Sequence, residues 1–315
     1  MLLLKEEHVR ALLSMREAIR LMAEAFGDLA AGRALNQPRR RLVLPSRSVL
    51  HAMAGAHPKY FGTKIYTTHP RHGAHFLFLL YDAETAEPLA VFEANLLGQI
   101  RTGAATGLAT DLLSTADADS LGLVGSGFQA RSQLEAVLAV RRVREVRVWS
   151  PSEEKRTAFA EKRRRDFGVP VLPVSTAQEA VQNATIVITA TSAKDAVLEA
   201  GWIADGALVS AIGSNQAARR ELPEALIRRA ALIVVDSLEQ ARIESGDLLL
   251  AAPLDHWDTL PLAELKDIVS GRVERPAGVT IFKSNGLGVE DVYAAGYVYE
   301  RAVAEGVGSR LELYS

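Results

Sequence analysis

The residues with the clearest chemical potential form a glycine-rich turn. An apolar run, Leu121–Val124, leads into Gly-x-Gly-x-x-Ala, and a helical pattern follows. Gly125 permits a tight turn, Gly127 lets the backbone approach a pyrophosphate closely, and Ala130 is small enough for the helix to pack on the strand. The N–H groups at the helix start, aided by the helix dipole, would then bind phosphate oxygens. We predict dinucleotide contacts at the six residues of this motif, Gly125, Ser126, Gly127, Phe128, Gln129 and Ala130.

The second strand of this unit, Val146–Trp149, arrives one βαβ repeat later, which favours a nucleotide site over an ordinary strand–helix turn. NAD sites usually end this strand with an acid that binds the ribose 2′-OH, but Ser150 follows the strand here. Ser150 and Ser152 can donate to a 2′-phosphate, and Lys155-Arg156 can supply positive charge. We therefore favour NADP(H), with NAD(H) as the alternative if Glu153-Glu154 reaches the ribose.

Polar groups follow several other strands of the same region. In open α/β sheets, ligands bind beyond the carboxyl ends of the parallel strands. Those ends carry Thr189-Ala190-Thr191, Gly213-Ser214-Asn215 and Lys283-Ser284-Asn285. Polar turns are the plain alternative at each end. We predict further cofactor contacts from Thr191, Gly213 and Ser284.

Basic side chains mark candidate anion contacts elsewhere in the chain. Arg101 and Thr102 are predicted to begin a small-residue helix that runs to about Leu113. An arginine at a helix start opposes the dipole unless an anion is bound, so Arg101 and Thr102 are predicted to contact an anion, and both are candidate cofactor contacts, with a surface arginine as the alternative. Lys64 lies in an alternating strand pattern that also suits a surface lysine. The run Arg39–Arg41 is typical of a solvated strand edge. The alternative is that one of these arginines faces inward toward a carboxylate.

Histidines are concentrated in one short region. Five of the seven, His51, His57, His69, His72 and His75, fall within 25 residues. Their spacings fit no usual helical ligand pair, and no acidic residue lies between Leu44 and Tyr81. We therefore predict polar, partly exposed histidines and no metal site.

The elements around these groups predict an α/β protein. Residues ~119–284 alternate apolar strands with helices, which indicates a doubly wound parallel sheet of the Rossmann type. Before it, Ser14-Met15-Arg16-Glu17 is a capping box that opens a helix over about 14–32. A helix over Val289–Val303 is expected to pack back on the first region. Between the first of these helices and the alternating region, four short strands are predicted: Val49–Met53, Tyr60–Thr67, Phe76–Tyr81 and Leu89–Glu93. The predicted domains are 1–115, a Rossmann domain over 116–288, and 289–315 returning to the first.

Composition limits the classes of partner. The 315 residues are 48% hydrophobic and carry a net charge of −2, which argues against a nucleic-acid or membrane-surface partner held by bulk charge. There is no cysteine, so disulfides and thiolate chemistry are excluded. No stretch approaches the ~18 apolar residues of a membrane span, and we expect a cytoplasmic protein.

An ordered set of motifs resembles the ornithine cyclodeaminase/mu-crystallin family along nearly the whole chain. The glycine-rich turn alone is unspecific, whereas the complete set in this order is specific. The matching segments are Gly62-Thr63-Lys64 with His69-Pro70, Arg101–Ala105, Gly125–Ala130, Glu221-Leu222, Glu244–Asp247, and Thr280–Gly286 running into Val289-Glu290-Asp291.

The resemblance implies NAD(P)-dependent chemistry on small amino or imino acids, and a homodimer built through the N-terminal domain. It further implies that Lys64 and Arg101 hold the substrate carboxylate. A third family arginine fits Arg40 by spacing. Lys64 is also a candidate proton donor, because a crowded cationic cluster lowers a lysine pKa.

Two departures from the family pattern bear on the substrate. Ornithine cyclodeaminases carry a glutamate where this chain has His51, and an aspartate where it has Asn215. Asparagine can orient an amine or imine but cannot act as a general base. We therefore expect hydride transfer between a nicotinamide and the α-carbon of an amino or imino acid, with substrate contacts from His51 and Asn215. The alternatives are ornithine cyclodeamination with tightly held NAD, alanine dehydrogenation, and a non-catalytic nucleotide- or hormone-binding protein.

Overall fold

The computed structural model describes residues 1–313. The chain divides into two compact units. The first unit comprises Met1–Arg101 together with the residues from Gly286 onward, and the second comprises Thr102–Asn285. The chain therefore crosses from one unit to the other within a helix, at residue 101, and returns at residue 286.

The N-terminal part contains six strands and three helices. Ser14 caps the second helix by accepting a hydrogen bond from the Glu17 N–H, which confirms the predicted helix start. The elements are β1 (Leu2–Leu4), α1 (Glu6–Leu12), α2 (Met15–Ala30), β2 (Leu35–Val43), β3 (Val49–Ala56), β4 (Tyr60–His69), β5 (Gly73–Asp82), β6 (Pro88–Glu93) and α3 (Asn95–Leu113).

The middle of the chain alternates strands and helices as predicted. The strands are β7 (Ser120–Val124), β8 (Glu145–Trp149), β9 (Val171–Pro173), β10 (Ile186–Thr189), β11 (Leu208–Ala211), β12 (Leu232–Val235), β13 (Leu262–Glu264) and β14 (Thr280–Lys283). The helices are α4 (Phe128–Val140), α5 (Glu153–Phe167), α6 (Ala177–Val181), α7 (Glu224–Arg229), α8 (Leu238–Glu244), α9 (Gly246–Leu249) and α10 (Leu265–Val269).

Eight parallel strands form the sheet of the second unit, in the order β13-β12-β14-β11-β10-β7-β8-β9. The central strands are buried along their whole length, as expected for a sheet covered on both faces. Strand β7 lies between β8 and β10, so the chain order reverses on either side of it. This is the topological switch point, where ligands bind in such sheets.

The first unit contains a mixed seven-stranded sheet, in the order β15-β1-β6-β5-β4-β3-β2. The edge strand β15 (Ser309–Arg310) comes from the C-terminus and follows helix α11 (Gly288–Glu305), so both return to the N-terminal elements. Helix α11 packs on α2 and on β3 and β4. A Cβ at Gly55 would overlap the backbone of Val289, so the start of α11 lies directly against β3.

Two features differ from the sequence-based expectation. The short strands β1, β13 and β15 were not predicted, because two to three residues are too few to show an alternation. Helix α3 begins at Asn95, six residues before the predicted start at Arg101. Among the described residues, no helix is long and apolar enough to cross a membrane.

Candidate active site

Lys64 lies on the inner face of the sheet in the first unit. Along β4, Lys64 and Tyr66 are buried whereas Phe61 and Thr67 are exposed, as the alternation of a strand requires. The Lys64 ammonium group lies 5.5 Å from the centre of the Phe76 ring. The surface-lysine alternative is therefore excluded.

The first turn of α11 supplies two carboxylates to this face. The Lys64 Nζ donates to Asp291 Oδ1 at 3.0 Å, and the Arg101 Nε donates to the same oxygen at 3.2 Å. The Arg101 Nη1 also donates to Glu290 Oε2 at 2.6 Å. Both carboxylates are completely buried. Residues 189 to 227 positions apart in the chain therefore meet in one ionic cluster.

Arg39, and not Arg40, is the buried arginine of β2 on this face. A register shift between Gln37 and Arg40 turns Arg39 inward, where it is 3% exposed, while Arg40 is exposed beside Ala52 on the opposite face. The Arg39 guanidinium donates to the Gly286 carbonyl at 3.3 Å. Spacing alone selected Arg40 because a β-bulge changes which side chain points inward.

The cluster holds three buried cations against two buried carboxylates. Burial lowers the pKa of Lys64 to about 8, with Asp291 opposing this shift and Arg101 and Arg39 adding to it. Burial also lowers the pKa of Arg101, but the negative charges of Asp291 and Glu290 have the larger combined effect, so the pKa of Arg101 is raised. With Lys64 protonated, the cluster carries one excess positive charge, which one substrate carboxylate would neutralise.

His51 lies on the same inner face, on β3. Its ring stacks on Tyr66 with centroids 4.1 Å apart, and its Nε2 lies 3.0 Å from Thr68 Oγ1. Burial lowers the pKa of His51 to about 4, and Arg41 and Arg39 add to this shift. His51 is therefore neutral at physiological pH and adds no charge to the cluster.

Arg101 reaches the cluster from the interior of α3. Gly98, one turn earlier, leaves space for the Lys64 Nζ, since a Cβ at this position would overlap it. The N-terminal amides of α3 instead receive the Glu6 carboxylate, which accepts from Asn95 and Leu96 at 2.9 and 3.0 Å. The helix-start argument for an anion at Arg101 was therefore wrong, and its candidacy rests on the buried cluster. Thr102 follows it as a buried residue of α3.

The glycine-rich turn of the second unit has the geometry that its sequence predicts. Gly125 has φ +116°, and a Cβ there would overlap the Ala190 carbonyl at the end of β10. Gly127 is the N-cap of α4 and has no side chain to cap its first amides. Phe128 and Gln129 are the first residues of this helix, and Ala130 in its first turn is completely buried. The turn therefore fits a pyrophosphate at the switch point.

The end of β8 carries hydroxyl and guanidinium groups. Ser150 Oγ lies 2.8 Å from Ser126 Oγ, so the ends of the first two strands are joined by a hydrogen bond. The Arg156 Nη1 donates to the Ser150 carbonyl at 3.2 Å. The nearest acid to this guanidinium is Glu153, at 3.8 Å on the exposed first turn of α5.

The remaining predicted contacts also lie at strand ends of the second unit. Thr191 and Gly213 follow β10 and β11, and their N–H groups both donate to Glu221. Ser284 follows β14, and its hydroxyl donates to Asp236 Oδ2 at 3.1 Å. Asn215 is half-buried in the loop after β11.

A family model described as the ornithine cyclodeaminase/mu-crystallin family matches residues 1–306. The chain belongs to this family. Delta(1)-pyrroline-2-carboxylate reductase of Bacillus cereus is 34% identical, over 99% of this chain and 100% of that protein. Ketimine reductase mu-crystallin of Mus musculus is 38% identical, over 74% of this chain and 71% of that protein.

Two solved structures of the family match almost the whole chain. Delta(1)-pyrroline-2-carboxylate reductase of Thermococcus litoralis, in complex with NADH and L-proline, has a TM-score of 0.93 at 31% identity and covers 99% of this chain and 100% of its own. An archaeal alanine dehydrogenase dimer with bound NAD has a TM-score of 0.93 at 31% identity and covers 100% and 99%. These matches confirm the predicted family, the fold class and the class of enzyme, an NAD(P)-dependent oxidoreductase of amino or imino acids.

In this member of the ornithine cyclodeaminase/mu-crystallin family, sequence reasoning missed the partners of the predicted cations. Glu290 and Asp291 belong to the last of the family motifs, but the motif by itself gives them no role. Their signal was available, because two adjacent acids stand in the first turn of a helix whose next two turns are apolar, where burial requires cationic partners. Arg39 left no comparable signal, since a bulge cannot be read from three equal residues.

Proposed function

We propose that this protein reduces a small cyclic imino acid that carries a carboxylate next to the C=N carbon, and so forms the cyclic amino acid. The observation that carries this proposal is the buried cluster of Arg39, Lys64 and Arg101 with its single excess positive charge. A guanidinium pair and an ammonium group that converge in a buried site are suited to orient one carboxylate.

The charge of the cluster favours an imino acid over a diamine. One carboxylate neutralises the cluster, whereas ornithine would also bring two ammonium groups into a buried region without an additional acid. Neutral His51, stacked on Tyr66, occupies the position where ornithine cyclodeaminases carry a glutamate. The pair offers a flat surface to a small ring, and Asn215 is the predicted partner of the imine nitrogen.

Reduction of the imine needs one proton and one hydride. A bound reduced nicotinamide supplies the hydride to the carbon of the C=N bond. Lys64 is the group we assign to the proton, because burial lowers its pKa to about 8 and so makes it a better acid than a surface lysine. The proton moves from Lys64 Nζ to the imine nitrogen, the C=N π bond breaks, and Lys64 regains a proton from water.

We further propose that NADP(H) is preferred over NAD(H), although the solved relatives hold NADH and NAD. No acid ends β8, where a carboxylate would bind the ribose 2′-OH. The hydroxyl of Ser150 and the guanidinium of Arg156 lie there instead, and both can bind a 2′-phosphate. The exposed Glu153 opposes this preference only weakly, because water screens its charge.

Substitution at the end of β8 tests the cofactor preference. We expect Ser150→Asp to raise the KM for NADPH about tenfold or more while leaving the KM for NADH almost unchanged, because a new carboxylate repels the 2′-phosphate. Arg156→Ala should also raise the KM for NADPH. Arg165→Ala, on the last turn of α5, is the matched control. Equal effects on both cofactors would contradict the preference.

The reaction itself is tested by absorbance at the reduced-nicotinamide band. Purified protein is mixed with NADPH, or NADH in parallel, and with the five- and six-membered cyclic ketimine carboxylates. We expect decay that requires both the ketimine and the protein, and that disappears in Arg101→Ala at saturating cofactor. Three outcomes would contradict the proposal. They are cofactor consumption with pyruvate and ammonia only, ornithine cyclisation without net cofactor consumption, and cofactor binding without turnover.

We also propose a homodimer formed through the first unit. The outward face of its sheet, opposite Lys64, exposes apolar side chains on neighbouring strands, among them Leu42, Leu50, Phe61 and Leu77. Leu42 and Leu50 are direct cross-strand partners, so the exposed groups are continuous across β2 and β3. Apolar patches of this kind mark interaction surfaces, and the similar archaeal alanine dehydrogenase is a dimer.

A further inference from the structure

The second unit contains a buried ionic cluster that the proposed reaction does not use directly. Its members are Glu221, Asp247 and Lys283, and each is completely buried. The Lys283 Nζ lies 3.0 Å from Asp247 Oδ2. Each residue comes from a different motif of the sequence, and none of them is predicted to touch a ligand.

Glu221 joins the ends of two adjacent parallel strands. One carboxylate oxygen accepts from the Thr191 N–H after β10, and the other accepts from the Gly213 N–H after β11, both at 2.7 Å. A Cβ at Gly213 would overlap this carboxylate, so only glycine allows the approach. The carboxylate thus fixes the separation of the loops that follow β10 and β11.

Lys283 and Asp247 hold the end of β11 and the segment that follows it. The Lys283 Nζ donates to the Ser214 carbonyl at 2.6 Å and to the Ala211 carbonyl at 3.3 Å. Asp247 Oδ1 accepts from the backbone N–H groups of Glu221 and Leu222 at 2.6 and 2.9 Å. The residue directly before Asn215 is therefore held by a buried ammonium group.

We propose that Glu221, Asp247 and Lys283 are positioning residues: they hold the loop at Thr191 and the loop at Gly213–Asn215 in the conformation that binds the cofactor and presents the Asn215 side chain. The inference rests on the proposed reduction of an imino acid. Because the amides of Thr191 and Gly213 are taken by Glu221, these loops contact a ligand through their other groups.

A purely stabilising role explains this arrangement less well. Buried ion pairs are often matched in stability by apolar side chains of similar volume, because desolvation offsets the attraction between the charges. Five of the hydrogen bonds made by the cluster end on backbone groups of residues 191, 211, 213, 214 and 222. Backbone contacts concentrated on two loops define the shape of those loops.

Glu221→Gln is the first test, because it keeps the side-chain volume. The amide NH₂ must then face either the Thr191 N–H or the Gly213 N–H, so one donor loses its acceptor. We expect the Kd for NADPH, measured by fluorescence titration without substrate, to rise about tenfold or more, since the loop whose N–H loses its acceptor leaves the conformation that binds the cofactor. Glu239→Gln, on the first turn of α8, is the matched control.

Lys283→Met tests the position of Asn215. We measure kcat for ketimine reduction at saturating NADPH and divide it by the concentration of sites that bind cofactor. This kcat should fall on the order of 100-fold, since small displacements of an orienting group have effects of this size. The KM for the imino acid should change much less, because its carboxylate is assigned to Arg39, Lys64 and Arg101. A structural role would lower Tm and leave kcat per folded site unchanged. Lys266→Met, in a partly buried ion pair with Glu264, is the control.

Hydrogen exchange tests the role of Glu221 without an activity assay. In the wild-type protein, the amides of Thr191 and Gly213 should exchange as slowly as those of the adjacent strands, and Glu221→Gln should release one of them. Fast exchange of both amides in the wild-type protein, or wild-type Kd and kcat in the two variants, would overturn the inference. If the wild-type protein binds NADPH but reduces no imino acid, the proposed function fails while the exchange and Kd results still decide the role of Glu221.

Discussion

At the scale of single residues, Asp291 is the centre of the candidate site. One of its oxygens accepts from both Lys64 and Arg101, so it fixes the proposed proton donor next to the proposed carboxylate ligand. Removing one partner of such a buried group costs ~3–5 kcal/mol, because the remaining charges lose their compensation. The carboxylate therefore stabilises the first unit and orients the two cations at the same time.

The pH dependence of the reaction follows from Lys64. Its pKa is lowered to about 8, and the proposed reduction uses the protonated form, so kcat/KM for the imino acid should fall as pH rises through about 8. Oxidation of the cyclic amino acid needs the neutral form and should rise through the same pH. Both profiles are measured with saturating cofactor.

Lys64→Arg is the control for this assignment. Arginine keeps the positive charge but does not titrate in this range, so the residual activity should show no inflection near pH 8. A similar inflection in this variant would assign the titration to another group.

At the scale of elements, α11 connects the end of the chain to the site. Its first turn carries Glu290 and Asp291, and it packs against β3 through Gly55 and Gly288, neither of which has room for a Cβ. The two glycines allow the backbones of helix and strand to touch. The carboxylates reach Lys64 and Arg101 only because of this close approach.

Gly55→Ala should therefore impair both stability and catalysis. The new methyl group overlaps the backbone of Val289 and moves the first turn of α11, at a cost of about 1–3 kcal/mol in the free energy of unfolding. We expect a lower Tm and about a tenfold loss of kcat/KM for the imino acid, as Asp291 moves relative to Lys64. Gly201→Ala, where a Cβ meets nothing within 4 Å, is the matched control and should leave both quantities unchanged.

At the scale of the whole molecule, the sheet of the first unit uses its two faces differently. The inner face carries the ionic cluster and is covered by α11. The outer face leaves Leu42, Leu50 and Leu77 between 39% and 60% exposed. A single chain does not cover this surface, which supports the proposed homodimer.

The double substitution Leu50→Glu with Leu77→Glu tests the dimer. Carboxylates buried at an apolar interface are strongly unfavourable, so the variant should shift from two chains to one in light scattering coupled to gel filtration. Leu254→Glu, an equally exposed leucine of the second unit, should remain a dimer. An unchanged mass for the double variant would remove this face from the interface.

The sequence by itself determined the fold class, the nucleotide-binding turn and the main strands of both sheets. These are local properties: Gly125, Gly127 and Ala130 act within one turn, and apolar runs or alternation act within one strand. It also selected Lys64 and Arg101, through an ordered set of motifs that covers nearly the whole chain.

Only the tertiary structure decided which charges face each other. A bulge after Gln37 turned Arg39 inward instead of Arg40, and the return of α11 brought Asp291 to Lys64 from 227 residues away. Glu221, Asp247 and Lys283 likewise meet only when separate strands align. The physical reason is that a buried charge is compensated by neighbours in space, and strand register and helix packing determine those neighbours over distances that no local pattern records.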